Sequence, residues 1–314
     1  MAFQLGLDTF GDVTLDAAGA PRPHAQILRD VVEEAVLADR LGLDAFGVGE
    51  HHRPDFAVSA PEVVLAAIAA RTSRIALGSA VTVLSTDDPV RVFQRFSTLN
   101  ALSNGRAEVI LGRGSFTESY PLFGYDLNQY NELFEDKLAL FAELLKNGPV
   151  SWRPARGRTH TPVEVDGVYP SVEGRLTTWV GVGGSPESVV RAAKYGLPLT
   201  LAIIGGSHSR FRPYVDLYLE SLQRFGHAVQ PVAVHSPGYV AATDQQAKDE
   251  LWPHYAGIMT RIGAERGWPP VTREHFEREA GPMGALCVGS PETVATKIIR
   301  AAEILGASRF DIKY

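Results

Sequence analysis

Cysteine is almost missing: Cys287 stands alone among 314 residues. That excludes an internal disulfide and a cysteine-built metal cluster, and it fits a reducing compartment, so cytoplasm is the expected location. No apolar run approaches the ~18 residues of a membrane span. The opening MAFQLGLDTF lacks the charged and apolar regions of a secretion signal. Basic residues are also in deficit, 30 Lys and Arg against 36 Asp and Glu. Because they are scattered, no positive field is expected to draw nucleic acid or a membrane surface. There is no GxxxxGK[ST] loop, no GxGxxG after a strand, no HExxH and no serine nucleophile elbow, so no metal site is expected.

What the chain does have is regular alternation. Short apolar runs, Phe3 to Leu7, Ala45 to Val48, Ile75 to Val83, Ala107 to Leu111, Thr178 to Val182, Leu199 to Ile204, Val232 to Val240 and Arg309 to Lys313, alternate with amphipathic stretches. Repeated strand and helix units predict an α/β protein with a parallel sheet. Eight such strands fit a single (β/α)8 TIM barrel better than an open sheet, and typical barrels need about 250 residues.

Helix punctuation agrees. Leu28, Val31, Val32, Ala35 and Val36 share a helical face before a capping Gly42. Ser59 with Pro61, Asp88 with Pro89, and Ser185 with Pro186 look like helix starts. Other helices are expected near Gln129 to Lys146, Arg210 to Phe225 and Pro291 to Leu305. The pattern stops at Tyr314 with no eighth helix, so the one domain, 1–314, is expected to lack its last helix or to be cut short before it. Two insertions interrupt it, one after the fourth helix and one before the last. Pro149 to Pro170 reads as a hairpin; a long helical stretch with a break near Pro269 and Pro270 precedes the last helix, and within it Trp252 to Pro282 reads as an inserted, lid-like loop.

In a barrel, reacting groups sit just beyond the strands' C-terminal ends. There the chain places Glu50, His51 and His52; Gly112, Arg113, Gly114 and Ser115; and Gly181 to Ser188. An imidazole titrates near neutral pH, so His51 is a candidate proton donor or acceptor, against the plainer reading of a packing histidine. Arg113 can grip a phosphate in bidentate fashion or simply lie solvated in a turn. Gly183, Gly184, Ser185 and Ser188 lead into a helix N-terminus that can cradle phosphate. Gly289 to Thr293 repeats almost the same letters as a plain cap, so both copies stay in contention on this ground.

Together VGEHH (48–52), LGSAVTVLSTDDPVR (77–91), NGRAEVILGRGSF (104–116) and VGGSPES (182–188) resemble the bacterial luciferase-like flavin monooxygenase family, in order and over nearly the whole chain. The resemblance implies His51 beside the reacting edge of a flavin, with His52 assisting. It implies Arg113, Ser185 and Ser188 on the FMN phosphate, choosing the first glycine-rich copy. Val81 and Thr82, where the family often has a cis peptide or bulge, and Ala202, Ile203 and Ile204 would border the ring. Trp252 to Pro282 would be the lid over it. The implied activity is oxidation of a small organic substrate with O2 and reduced FMN supplied by a separate NAD(P)H-dependent flavin reductase. The alternatives are hydride transfer with the deazaflavin F420 and flavin binding without turnover. A homodimer is also implied. One departure is plain: luciferases carry a reactive cysteine where this chain has Gly112.

Overall fold

The computed structural model describes residues 2–155 and 159–314. Eight parallel strand positions close on themselves. They are β1 (Gln4–Thr9), β2 (Ala45–Val48), β3 (Ala76–Ser79) with its continuation β4 (Thr82–Val83), β5 (Ala107–Gly112), β8 (Thr177–Val182), β9 (Leu199–Ala202), β10 (Val232–Val240) and β12 (Arg309–Lys313). Each pairs in parallel with the next, and β10 returns through β12 to β1. The fold is therefore a (β/α)8 barrel. The short β11 (Cys287–Gly289) extends the sheet beside β10.

Helices α1 (His24–Leu41), α2 (Pro61–Ala69), α3 (Pro89–Leu102), the short α4 (Ser119–Phe123), α5 (Tyr130–Leu144), α6 (Pro186–Lys194), α7 (Arg212–Arg224), α8 (Asp244–Glu265), α9 (Arg273–Ala280) and α10 (Pro291–Leu305) follow in order. Side chains alternate across each strand. Leu77, Val109, Leu111, Val180, Leu201, Val234 and Phe310 point outward into one apolar core shared with Ile68, Phe93, Phe141, Val189 and Ile298 of the helices. The other face lines the barrel. Its contacts join strands that are not sheet neighbours: Arg309 on β12 pairs with Glu108 on β5, and His235 on β10 with Asp8 on β1.

Most local expectations hold: Gly42 ends α1 at φ 87°, and the Asp88 side chain accepts from Val90 and Arg91 N–H at the start of α3. Three differ. The strand expected over Ile75 to Val83 breaks at a cis bond between Ala80 and Val81. Ser59 does not cap α2, which starts directly on Pro61 after Ala60. The Trp252 to Pro282 stretch is the expected helical stretch with its break around Pro269 and Pro270, but not a loop: Thr243 caps a 22-residue α8 that runs through Pro253, and α9 follows. Ala247, Phe276 and Leu286 bury this helical pair against the barrel in a small core of its own. The Pro149 to Pro170 hairpin is present as β6 (Val150–Trp152) paired antiparallel with β7 (Val163–Val165), although residues 156–158 of that expectation lie outside the described residues. Among the described residues, no helix is long and apolar enough to cross a membrane.

Candidate active site at the mouth of the barrel

The two histidines after β2 have different surroundings. Glu50, itself buried, accepts the Val83 N–H at 2.8 Å on one carboxylate oxygen and meets His52 Nε2 at 2.9 Å on the other. It thus fastens the end of β2 to β4 and holds His52, whose ring stands edge-on to Phe123 at 5.0 Å. His51 lies among Phe10 (4.6 Å between ring centres), Phe56 (4.4 Å) and Phe116 (5.1 Å). Gly49 makes this possible, since a Cβ there would fall 2.3 Å from Phe10 Cδ1. Burial among the rings, reinforced by the charges of Lys313, His52 and Arg53, pushes the His51 imidazole down to about 3. At neutral pH His51 is therefore uncharged, a narrower role than a group titrating near pH 7. Its ring makes no hydrogen bond to the described residues, which leaves one N–H donor and one acceptor nitrogen for a ligand.

The phosphate candidates come together. Arg113 Nη2 donates to Ser188 Oγ at 3.0 Å, and Ser185 Oγ donates to the same atom at 2.7 Å. Ser185 is the N-cap of α6 and its hydroxyl accepts the Ser188 N–H at 3.3 Å, so the positive end of that helix lies beside the guanidinium. Gly184 adopts φ 104°, and a Cβ at Gly183 would meet nothing within 4 Å, an open place beside the serines. Gly114, at φ 76°, turns the chain after Arg113. The site thus fits a phosphate-bearing cofactor. Sequence reasoning missed three of its neighbours. Asn131 accepts from Arg113 at 2.7 Å, the Tyr130 ring lies under the guanidinium, and Arg191 Nη1 reaches Ser188 Oγ at 3.3 Å. Arg191 was findable, because it lies three residues past Ser188 on one helix face.

Between the histidine and the phosphate end runs a lane of small residues. Val81 packs against Gly112 and Gly181, and with Ile110, Trp179 and Ala233 forms an apolar floor. Ala202 is half-buried and Ile204 exposed at the end of β9. Thr82 and Ile203 face the other way: the Thr82 hydroxyl donates to Ser79 Oγ at 2.9 Å, and Ile203 lies in the outer core. Only their backbone can border the lane. A partly open cavity of about 150 Å3 lies elsewhere, around Leu145, Val172 and Leu176 near the start of β8, away from these groups.

The end of α8 reaches this mouth. Arg53 Nη1 donates to Glu265 at 2.9 Å, Arg261 pairs with Asp55 at 3.2 Å, and Arg266 donates to the carbonyl of the exposed Ser115 at 2.9 Å. Arg53 and Arg266 both lie over the Phe116 ring.

A closed barrel with an uncharged histidine and an arginine–serine cradle at its mouth defines a class, and the comparisons place the chain within it. The family model of luciferase-like monooxygenases matches residues 9–309, and the chain belongs to that family. It is 25% identical over 241 residues to the alkanal monooxygenase alpha chain of Photorhabdus luminescens, a match that covers 76% of this chain and 65% of that relative. Among solved structures it is similar to the oxygenating constituent of 3,6-diketocamphane monooxygenase of Pseudomonas putida in complex with FMN. The TM-score is 0.77 with 19% identity, over 99% of this chain and 92% of that one. It is also similar to an F420-dependent secondary alcohol dehydrogenase in complex with an F420–acetone adduct. There the TM-score is 0.79 with 17% identity, over 100% and 93%.

Proposed function

We propose that the protein is a monooxygenase that binds reduced FMN at this mouth and uses O2 to oxidise a small organic compound. The observation that carries the reading is the convergence of Arg113, Ser185 and Ser188 at the start of α6, on the same mouth as His51. Arg113, with the serines and the backbone of Gly183 and Gly184, would hold the FMN phosphate. Val81, Ala202 and Ile204 would border the ring. The bound flavin would supply the electrons for reducing O2. His51, held neutral, would give or accept a hydrogen bond at the ring's edge, with His52 and Glu50 fixing its loop. Phe10, Phe56 and Phe116 would keep water away.

As the family resemblance implies, a separate NAD(P)H-dependent flavin reductase in the cytoplasm would supply the reduced flavin, in keeping with a chain that has no GxGxxG dinucleotide loop of its own. Exposed Leu37 and Leu41 on α1 and Val63 on α2 support a homodimer formed through these helices.

The test is titration with FMN, anaerobic reduced FMN and F420, followed by admission of air with oxygen uptake and spectrum recorded. Reduced FMN bound in the micromolar range, with oxygen consumed and a transient absorbance unlike free flavin, is the expected result. Tight F420 binding without oxygen uptake would assign the protein to hydride transfer instead, and flavin binding with neither reaction would leave a binding protein.

A further inference from the structure

Asp8 and His235 form a pair that the reading above does not use. They sit on β1 and β10, separated in the sheet by β12, so their contact crosses the barrel's interior: His235 Nδ1 lies 2.6 Å from Asp8 Oδ2. Gly47 on the adjoining β2 leaves Asp8 its place, since a Cβ there would come 2.8 Å from Asp8 Cβ. Asp8 is 2% exposed, and its second oxygen, Oδ1, has no partner. A buried carboxylate this poorly satisfied needs a cation beside it. The other charged groups near His235 are Asp311 and Lys313 on β12. Burial works against a charged imidazole, but Asp8, aided by Asp311, outweighs it and holds His235 above its ordinary value.

With Nδ1 committed to Asp8, the remaining ring nitrogen, Nε2, makes no hydrogen bond to the described residues, and the side chain keeps 12% exposure. Its ring stacks on Phe10 at 6.2 Å and an interplanar angle of 15°, and the same Phe10 meets His51 edge-on. Phe10 is thus a wall shared by two imidazoles, His51, which burial holds low, and His235, which Asp8 holds above its ordinary value.

We propose that His235, held by Asp8, is a substrate-binding group whose Nε2–H receives the oxygen of a carbonyl or carboxylate compound, with the compound's apolar part against Phe10. The assignment rests on this mouth being the substrate site. The half-satisfied, buried Asp8 carboxylate favours a second proton on the ring it holds, which puts an N–H at Nε2; that donor favours an oxygen acceptor, whereas a plain hydrocarbon would desolvate it and leave it unpaired.

The experiment uses the whole protein, with and without FMN, and three probes: benzoate, acetophenone and ethylbenzene. Calorimetric titration is expected to show benzoate or acetophenone binding more tightly than ethylbenzene. His235→Asn and His235→Gln are expected to weaken the oxygen-bearing probe about tenfold or more and leave ethylbenzene unchanged. In histidine-labelled wild-type protein, the binding probe should move the His235 nitrogen resonances and leave those of His208 in place, a readout that does not depend on a variant folding. Benzoate against acetophenone separates carboxylate from carbonyl. Equal affinities in wild type and both variants, no preference over ethylbenzene, or unmoved His235 signals at saturation would each overturn the proposal. FMN affinity is read separately: failure of FMN to bind while the probes still depend on His235 would sink the flavin reading and leave this one standing.

Discussion

Any side chain at Gly112 should cost stability, for want of space. A Cβ there would fall 2.4 Å from Val81 Cγ2 and 3.0 Å from Val81 Cβ, and both Val81 atoms belong to a stiff, branched side chain that also packs against Gly181. Forcing one carbon into such a contact costs roughly 1–3 kcal/mol, while replacing glycine by alanine returns about 0.4–1 kcal/mol through the unfolded chain. Gly112→Ala should therefore destabilise by about 1–2 kcal/mol, read as a lower urea midpoint by circular dichroism. Val81→Ala removes the obstructing methyl groups, so in the double variant the two effects should couple favourably by at least about 0.5 kcal/mol. A Gly112→Ala protein as stable as wild type, or a double variant whose effects simply add, would refute the steric argument. The same contact explains why a cysteine cannot be placed here without moving the wall of the proposed flavin lane.

Arg113→Ala is expected to weaken FMN binding by about 1.5–3 kcal/mol in a fluorescence titration, with Arg113→Lys recovering only part, because a lysine cannot reproduce the fork. Unchanged affinity would move the phosphate elsewhere. His51 and His208 are both held low by burial, to about 3 and about 4, so the unfolded chain binds their protons first as pH falls below about 6.5. These two groups should make stability fall between pH 6.5 and 4, and His51→Gln should flatten the decline measured by thermal denaturation. His235 works in the opposite sense: its raised value adds stability below its unfolded value, which is lost as pH rises through the folded one. Arg53→Ala removes both contacts to Glu265, and the last turns of α8 should then exchange amide hydrogens faster while the barrel strands do not. Equal exchange would mean that the pair does not hold α8.

The barrel was legible because its signal is distributed. Eight apolar runs alternating with amphipathic stretches survive errors at any one boundary, and glycine and proline marked several helix ends, as at Gly42 and Pro89. The arginine–serine cradle was legible from letters next to strand ends. Its completion by Asn131 and Tyr130 was not, since both lie on a helix that only tertiary packing brings beneath Arg113. Thr82 and Ile203 show the limit of reading a strand end as a block: residues one apart point to opposite faces, and in the structure these two turn from the mouth.

The interior of the barrel was hidden for a related reason. In Arg309, Phe310, Asp311, Ile312 and Lys313 charged and apolar residues alternate, which for an isolated sheet means one face toward water. Here helices cover the apolar face, so the charged face turns inward, where Arg309 meets Asp311 at 2.9 Å and also Glu108, with its guanidinium over Trp179. Burial opposes the arginine's charge, but the two carboxylates outweigh it and hold it protonated. Asp8 and His235 follow the same inversion one layer nearer the mouth, beside Phe10. An alternating strand therefore cannot say which of its faces is wet until closure of the sheet is known. In a closed barrel, the charged residues that alternation assigns to solvent are the first candidates for chemistry.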